Sequence, residues 1–269
     1  MKLLSAFFLI ISASGCLAQV IPLPNAHAHN DYEHTRPLMD ALENGFTSVE
    51  ADVFLVDDIL YVYHDLPAVL DRERTLENLY LKPLQKIIEE NEGYVYPGYE
   101  KFFYLMIDFK SEAAPAYKQL KKLLGKYRHF ISAVKKGIEE TGKPVKIFLS
   151  GSASGGFYEV MLQEDILLAG VDGRPIDLGK GLAASVMPVI SDHYRKFLSW
   201  DGKGAAEEKE VARLRTFVKE AHAEGKKVRL WAAPDLPQVW AFLLKNGVDL
   251  INTDNLSGLK GHLVERGSP

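Results

Sequence analysis

The stretch that decides the fold runs from residue 25 to residue 65: NAHAHNDYEHTRPLMDALENGFTSVEADVFLVDDILYVYHD. Two strand-like segments frame a short helical one, and a turn at Asp57 and Asp58 returns the chain into a further short strand. Four of the eight histidines fall in this stretch, and Glu50 and Asp52 are two residues apart on its central strand. Acid–base groups and metal-binding side chains therefore occur on short segments that one sheet can bring together.

Alternating strand-like and helix-like runs continue through the rest of the chain. The longest helix-like segment is expected to cover residues 113–141. Eight strands with intervening helices in roughly 250 residues predict an α/β fold, namely a single-domain TIM (β/α)8 barrel. A doubly wound open sheet is the alternative. The eight strands are predicted at residues 26–29, 47–54, 102–109, 145–150, 166–171, 185–190, 227–232 and 248–252.

The composition is that of an ordinary globular protein, with 47% hydrophobic and 25% charged residues. A chain of 269 residues with this mixture can bury a sizeable core, which argues against disorder. The net charge is −4, and no stripe rich in lysine and arginine accompanies it. These features argue against a protein that coats nucleic-acid phosphates, so we expect no nucleic-acid partner.

The N-terminal segment, residues 1–18, has the pattern of a cleavable signal peptide. Its apolar run follows Lys2 and is too short to span a bilayer, and cleavage after Ala18 would leave a domain of residues 19–269. The alternative is lipid anchoring through Cys16, since the tetrapeptide ASGC resembles a bacterial lipoprotein box. No later segment is apolar for long enough to predict a transmembrane helix. We therefore expect an exported protein, either periplasmic or secreted.

Carboxylates on two neighbouring strands predict a metal site. Glu50 and Asp52 project to the same side of their strand, and barrels carry catalytic groups at the C-terminal ends of strands. Two carboxylates at a barrel mouth repel each other unless a cation or protons neutralise them. Asp108, near the end of the next barrel strand, is the expected third ligand. Carboxylate oxygens favour a hard ion, so we expect one divalent cation, Mg²⁺ or Ca²⁺. The alternative is that the pair faces water.

Two histidines fall at strand ends on either side of the Glu50 and Asp52 pair. His29 ends the first strand, and His64 follows the short hairpin after the second. An imidazole exchanges protons near neutral pH without a large pKa shift. One can therefore deprotonate an attacking hydroxyl while the other protonates a leaving oxygen. We interpret His29 and His64 as an acid–base pair acting across a phosphodiester.

Short motifs spread over nearly the whole of residues 19–269 form a series. In order they are His29, Glu50-Ala51-Asp52, His64-Asp65, Asp108 and Lys110 in LMIDFK, Trp231 in VRLWAAP, and the closing GVDLINTD. The series resembles the glycerophosphodiester phosphodiesterase and phosphatidylinositol-phospholipase-C-like superfamily. The resemblance implies a TIM barrel, two catalytic histidines and a divalent metal. It also implies that Lys110 lies near the substrate phosphate and that Trp231 is a substrate contact.

The sequence departs from that superfamily at two positions. Asn30 stands where the superfamily has an arginine that contacts phosphate, and we expect its amide to donate part of the missing hydrogen bonding. The third acid is Asp108 instead of glutamate, which is similar to the sphingomyelinase D branch. The chain most resembles a branch related to the fungal mitochondrial-inheritance protein Aim6 family. The expected function is metal-dependent hydrolysis of a small-molecule or lipid-headgroup phosphodiester.

Two other classes of function remain open at this point. His27-Ala28-His29 after a first strand is also typical of zinc-dependent amidohydrolases and metal phosphoesterases, in which both imidazoles bind the metal. Asp254 after the last strand would suit an amidohydrolase. The third class is a non-catalytic exported binding protein that kept the barrel, because a fold alone does not establish activity.

Overall fold

A computed structural model describes residues 20–154, 156–265 and 267. The predicted signal peptide (residues 1–18) and the alternative lipid anchor at Cys16 lie outside these residues. Within the described ranges, no helix is both long and apolar enough to cross a membrane.

Eight of the twelve strands in the described chain make the wall of a barrel, and the other four are short additions. The wall strands are β1 (Leu23–Ala28), β2 (Phe46–Val56), β4 (Phe103–Phe109), β7 (Val145–Gly151), β9 (Gly170–Gly173), β10 (Val189–His193), β11 (Lys227–Trp231) and β12 (Ile251–Thr253). The additions are β3 (Ile59–Val62), β5 (Val134–Lys135), β6 (Ile138–Glu139) and β8 (Ile166–Leu167).

The wall strands are parallel and follow one another around a ring. Their order is β1, β2, β4, β7, β9, β10, β11 and β12, and β12 pairs back onto β1. A single parallel bridge between Arg229 and Leu250 joins β11 to the start of β12. The predicted single-domain TIM barrel is confirmed, and this circular order excludes the doubly wound open sheet.

Helices cover the outside of the ring, as a (β/α)8 architecture requires. In α5, Leu214, Phe217, Val218 and Ala221 are buried, and this spacing places them on one face of the helix. The helices are α1 (Met39–Glu43), α2 (Lys82–Glu90), α3 (Ala113–Lys126), α4 (Tyr158–Met161), α5 (Glu208–Ala223), α6 (Pro237–Lys245) and α7 (Leu256–Glu265), and a π-helical turn (Glu77–Leu81) leads into α2.

The predicted long helix over residues 113–141 is wrong in its second half. Helix α3 ends at Lys126, and β5 and β6 then form a small hairpin that pairs with β8. Lys136 and Gly137, between the two hairpin strands, have φ of 51° and 78°. Two successive positive φ values suit a tight two-residue hairpin turn and are incompatible with a right-handed helix.

The inside of the barrel changes from apolar to polar along its axis. One buried layer is an apolar cluster of Met106, Phe148, Val189 and Leu250. Strand side chains alternate between faces, so the residues two positions further along the same strands face inward as well. These residues are Asp108, Ser150, Ser191 and Asn252. The polar layer therefore lies toward the C-terminal ends of the strands.

A buried acid, Asp31, supports the first loop after β1. Its Oδ2 accepts hydrogen bonds from the Leu38 backbone N–H at 2.6 Å and from the Tyr80 hydroxyl at 2.9 Å. Its Oδ1 is buried and has no hydrogen-bond partner. Burial raises the pKa of Asp31 from 3.8 to about 7, although both hydrogen bonds act in the opposite direction.

This buried acid predicts a pH dependence of stability. Between pH 3.8 and about 7 the folded chain retains a proton on Asp31 that the unfolded chain releases. The free energy of unfolding should therefore fall as pH rises through that window, by at most about 1.4 kcal/mol per pH unit. Asp31→Asn cannot titrate, so urea unfolding should show the stability of wild type falling relative to the variant across the window. Parallel pH profiles for the two proteins would contradict this prediction.

Candidate active site

Three carboxylates meet at the C-terminal end of the barrel. Glu50 and Asp52 lie on β2, and Asp108 of β4 is paired in register with Asp52. One oxygen atom from each carboxylate lies within 4.8 Å of the others. Among the described residues, this is the one group of three histidine, cysteine or acidic side chains close enough to share a metal ion. The structure thus brings together the three ligands that the sequence predicts.

These three carboxylates, Glu50, Asp52 and Asp108, form the acid group. The acid group fits a divalent cation because it is largely buried and some of its oxygens lack a hydrogen-bond donor. Oδ1 of Asp52 and Oε2 of Glu50 are buried without a hydrogen-bond donor. Leaving such oxygens unpaired costs about 1–3 kcal/mol each, and more when they are charged. Hard cations take carboxylate oxygens as ligands. Glu50, Asp52 and Asp108 are therefore the residues that would hold Mg²⁺ or Ca²⁺.

Lys110 neutralises part of the acidic charge. Its Nζ lies 3.0 Å from Oδ2 of Asp52 and 3.0 Å from Oδ1 of Asp108. Burial acts to lower the pKa of Lys110, but the two carboxylates outweigh it and raise that pKa. Burial and the neighbouring acids raise the pKa of Asp108, against the effect of Lys110. Lys110 therefore remains a fixed positive charge at the mouth.

His29 follows β1 directly and is held by an acid from the other end of the chain. Its Nδ1 lies 2.8 Å from Oδ1 of Asp254. Burial acts to lower the pKa of His29, but the hydrogen bond to Asp254 and the charge of Glu50 outweigh it, and the net shift is upward. With Nδ1–H donated to Asp254, Nε2 is the nitrogen free to exchange a proton.

His64 follows β3 and approaches the acid group from its exposed side. Its Nδ1 lies 3.2 Å from Oδ2 of Asp52 and 3.2 Å from the Tyr32 hydroxyl. Its side chain is 57% exposed, so a substrate can reach it. Tyr32 is fully buried and donates its hydroxyl hydrogen to Oδ2 of Asp52, at 2.6 Å. The tyrosine thus ties His64 to Asp52.

Asn30 occupies a left-handed backbone position, with φ of 45°, between β1 and Tyr32. Its Oδ1 lies 3.0 Å from the Tyr32 hydroxyl. That hydroxyl has one hydrogen, which it donates to Asp52, so the contact does not orient the Asn30 amide toward a substrate. A hydrogen bond from Asn30 to a substrate phosphate stays a prediction.

Trp231 lies on another part of the rim. It ends β11 and packs edge-on against His193 of β10, with 4.4 Å between ring centroids. Since β11 is four positions from β4 in the ring of eight strands, Trp231 lies on the side of the mouth opposite β4. Its substrate contact therefore stays a prediction, and it would concern a part of the substrate away from the acid group.

His27 lies below the mouth. Its Nδ1 is 2.7 Å from the Ser48 hydroxyl, and its Nε2 is 3.5 Å from Oε2 of Glu50 and 3.4 Å from Nη1 of Arg229. Burial lowers the pKa of His27 to about 4. Nε2 faces Glu50 and Arg229 in the barrel interior, and among the described residues the one group of three possible metal ligands includes neither His27 nor His29. The geometry therefore does not favour the zinc site predicted from His27 and His29.

Two buried charged residues, Arg229 and Asp172, were not predicted from the sequence. Both are buried in the polar layer inside the barrel, although charged residues are rarely buried unless paired. One signal was present, because Arg229 lies two residues before Trp231 on a predicted strand and so shares its face. What the sequence could not supply was the set of partners from five other strands.

Gly151 leaves the space that the Asp108 carboxylate needs. It ends β7 with φ of 66°, and a Cβ atom there would clash with Oδ1 of Asp108 and with the backbone of Phe109. Gly151→Ala should therefore displace Asp108, weaken divalent-cation binding about tenfold, and destabilise the fold by about 1–3 kcal/mol. Calorimetric cation titration and thermal unfolding measure the two effects.

The matched control is Gly142→Ala. Gly142 has a similar φ of 73°, but a Cβ there meets nothing within 4 Å. This variant carries the same backbone strain without the clash, so its cation affinity should equal that of wild type. Equal affinities for the two variants would show that Gly151 does not shape the acid group.

A parallel eight-stranded barrel with acids and histidines at its C-terminal mouth places the chain among the TIM-barrel proteins. The chain belongs to the family of AIM6-like phosphodiesterase domains, whose sequence model matches residues 15–166, more than half of its length. The resemblance predicted from the sequence motifs is thereby confirmed.

Two relatives agree with this assignment, and a solved structure shares the fold. A homolog of altered inheritance of mitochondria protein 6 from Arthroderma benhamiae is 27% identical, over 90% of this chain and 84% of its own. Altered inheritance of mitochondria protein 6 from Saccharomyces cerevisiae is 27% identical, over 88% of this chain and 70% of its own. Phosphatidylinositol-specific phospholipase C from Listeria monocytogenes shares the fold, with a TM-score of 0.50 and 9% identity over 93% of this chain and 95% of its own.

Proposed function

We propose that the protein is a metal-dependent phosphoric diester hydrolase in which His29 and His64 are the acid–base pair. One observation carries the proposal: two histidines, each fixed by a carboxylate, adjoin a buried acid group with unsatisfied oxygens. Perturbed and mutually oriented titratable groups of this kind mark catalytic sites. A bound divalent cation would supply neutralisation of the phosphate oxygens.

The histidines divide the proton transfers between them. Asp254 fixes the proton of His29 on Nδ1, so Nε2 takes a proton from the attacking water or substrate hydroxyl as its oxygen bonds to phosphorus. His64 gives its proton to the leaving oxygen as the other phosphorus–oxygen bond breaks. Lys110 and the amide of Asn30 offset the growing negative charge on the phosphate. With water the products are an alcohol and a phosphomonoester; with a substrate hydroxyl, a cyclic phosphate replaces the monoester.

Phosphorus NMR of the products tests this function. The full-length protein is stripped of metal, supplied with Mg²⁺ or Ca²⁺, and incubated with glycerophosphodiesters, lysophospholipids and phosphoinositides in separate reactions. We expect a phosphomonoester or cyclic phosphate from at least one diester, dependent on the added cation. No turnover with any diester and either cation would overturn the proposal. Rescue by Zn²⁺ alone would favour the zinc hydrolase class.

The loop after His64 favours an amphiphilic diester as substrate. Residues 66–70 read LPAVL, and the first four are exposed. Runs of exposed apolar residues are uncommon on soluble proteins unless they have a function. Because this run directly follows His64 and Asp65, an apolar part of a bound substrate can lie against it. A lipid-headgroup phosphodiester has such a part, whereas glycerophosphodiesters have none.

Val69 is the test position because it is 84% exposed. Val69→Ser should leave stability nearly unchanged but raise KM for a lysophospholipid about fivefold, which corresponds to about 1 kcal/mol of lost apolar contact. KM for bis(p-nitrophenyl) phosphate should stay the same. Ile138→Ser is the control. Ile138 is 75% exposed in the hairpin of β5 and β6, which leads into the N-terminal end of β7 and so lies away from the mouth. An equal effect of the two substitutions would count against amphiphilic substrates.

A further inference from the structure

A buried guanidinium, that of Arg229, lies inside the barrel beneath the acid group. Its side chain is 4% exposed and faces inward from the middle of β11. It contacts side chains from five other barrel strands. These are His27 at 3.4 Å, Glu50 at 3.5 Å, Asp172 at 3.5 Å, Ser191 at 3.1 Å and Asn252 at 3.0 Å.

Stability alone does not account for a charge at this position. Burying an ion has a large desolvation cost, and a well-packed apolar side chain of similar volume often stabilises a core as well or better. The neighbouring layer of this barrel is apolar, since Met106, Phe148, Val189 and Leu250 fill it. An apolar residue at position 229 would have continued that layer. The presence of the arginine therefore points to a role toward the polar groups that it contacts.

Asp172 does not need Arg229 as its main partner. Its carboxylate accepts hydrogen bonds from the Ser150 hydroxyl at 2.9 Å and the Ser191 hydroxyl at 2.5 Å. It also pairs with Nη1 of Arg174 at 3.0 Å. These three contacts are closer than the 3.5 Å that separates Asp172 from Arg229. Asp172 is thus an anchored counter-charge against which Arg229 is held.

Glu50 depends on Arg229 far more than Asp172 does. Oε2 of Glu50 has two described contacts with polar side chains, the imidazole of His27 and the guanidinium of Arg229, each at 3.5 Å. Neither is close enough to be a strong hydrogen bond. The oxygen is therefore held in place and electrostatically stabilised without being saturated. That is the state a carboxylate needs if it is to bind a further cation.

We infer that Arg229 is a positioning residue that fixes the Glu50 carboxylate, through contacts from the barrel interior, in the orientation required for divalent-cation binding. This inference rests on the proposed cation site of Glu50, Asp52 and Asp108. The buried side chains around Arg229 would thus serve to hold Glu50, one of the three cation ligands. Side chains that orient ligands in this way typically change metal affinity about 10–100-fold when they are removed.

Simple electrostatics predicts the opposite effect of Arg229 on cation binding. A positive charge near Glu50 repels a cation, so removing it should tighten cation binding if charge alone mattered. If Arg229 positions Glu50, removing it should weaken binding instead. Lysine keeps the charge but lacks the planar fork that spans several partners. Arg229→Lys should therefore lie between wild type and Arg229→Met.

The test is calorimetric titration of the metal-free full-length protein with Mg²⁺, Ca²⁺ and Mn²⁺. We expect Arg229→Met to weaken the Kd about tenfold or more and Arg229→Lys to weaken it less. Lys146→Met is the matched control. Lys146 is another inward-facing buried cation, paired with Glu139, but it lies near the N-terminal end of β7. This control should lower the Tm while leaving the cation Kd unchanged.

The outcomes separate this inference from the proposed function. Unchanged or tighter binding in both Arg229 variants overturns it, as does a wild type that binds none of the three cations. If Arg229→Met fails to fold, Arg229→Lys decides the matter, since weaker binding in that folded, charge-conserving variant supports a positioning role. A wild type that binds cations but hydrolyses no diester refutes the proposed function while these affinities still test the role of Arg229.

Discussion

His29→Ala is expected to lower kcat for phosphodiester hydrolysis about 10³-fold, with little change in KM. The imidazole is held by Asp254 at 2.8 Å, so its loss removes an oriented proton acceptor while the acid group stays intact. General acid–base groups typically contribute about 10²–10⁴-fold. His64→Ala should have an effect of similar size, because the leaving oxygen then departs without a proton. Steady-state kinetics with a saturating divalent cation measures both.

The two histidines should also act as a unit. When groups serve one transition state, the double variant loses little more than the worse single variant. His222→Ala is the control, since His222 lies on the outer helix α5, where it pairs with Asp249. This variant should retain wild-type kcat. Full activity in His29→Ala or His64→Ala would remove that residue from the mechanism.

Asp52→Asn is expected to abolish the stabilisation of the fold by a divalent cation. Asp52 is central, since Lys110, Tyr32 and His64 all contact its Oδ2 while its Oδ1 is left unpaired. A ligand that binds only the folded state stabilises it by about 2.7 kcal/mol at a hundredfold excess over Kd. Wild type should therefore melt at a higher temperature with Mg²⁺ or Ca²⁺ than with chelator, and the variant should not.

The metal-free variant gives a second observation in the same experiment. Asparagine removes one of three mutually repelling charges, but it also weakens the pairing with Lys110. In chelator, the Tm of Asp52→Asn should therefore fall by no more than the loss of the Lys110 pairing alone would cause. Turnover should fall about 10²-fold or more, because the variant lacks a ligand and no longer retains the cation. A cation-induced Tm shift equal to that of wild type would show that Asp52 is not a ligand.

Local periodicity was enough to predict the number of barrel strands and the acid group, although two strands were placed too early. Residues 166–171 include β8, which pairs with β5 outside the wall, and the sixth wall strand begins at Val189 instead of residue 185. Glu50 and Asp52 alternate with buried apolar residues on β2, and Asp108 occupies the matching inward position on β4. Strand alternation and the rule that barrel chemistry lies at strand C-termini place all three without any long-range information. The helix predicted over residues 113–141 ends at Lys126, and its predicted second half contains a hairpin turn with positive φ at Lys136 and Gly137.

Contacts between distant segments were beyond the reach of a single sequence. The His29–Asp254 pair joins positions 225 residues apart, and Arg229 meets His27 across 202 residues. Periodicity indicates which face a side chain occupies, whereas its partner is decided by strand order and register around the ring. Tyr32 was not predicted as a link between His64 and Asp52, because it lies in a three-residue 3₁₀ helix that is too short to show a periodic pattern.

The central claim is that a cation held by Glu50, Asp52 and Asp108 makes this barrel a phosphodiester hydrolase. The most direct test measures cation binding and the initial rate of hydrolysis on one metal-free sample as Mg²⁺ or Ca²⁺ is added. The proposed function predicts that rate and occupancy rise together with the same half-saturation, and that both are lost in Asp52→Asn. Full turnover in the presence of chelator, or a saturated cation site with no turnover of any phosphodiester, would contradict it.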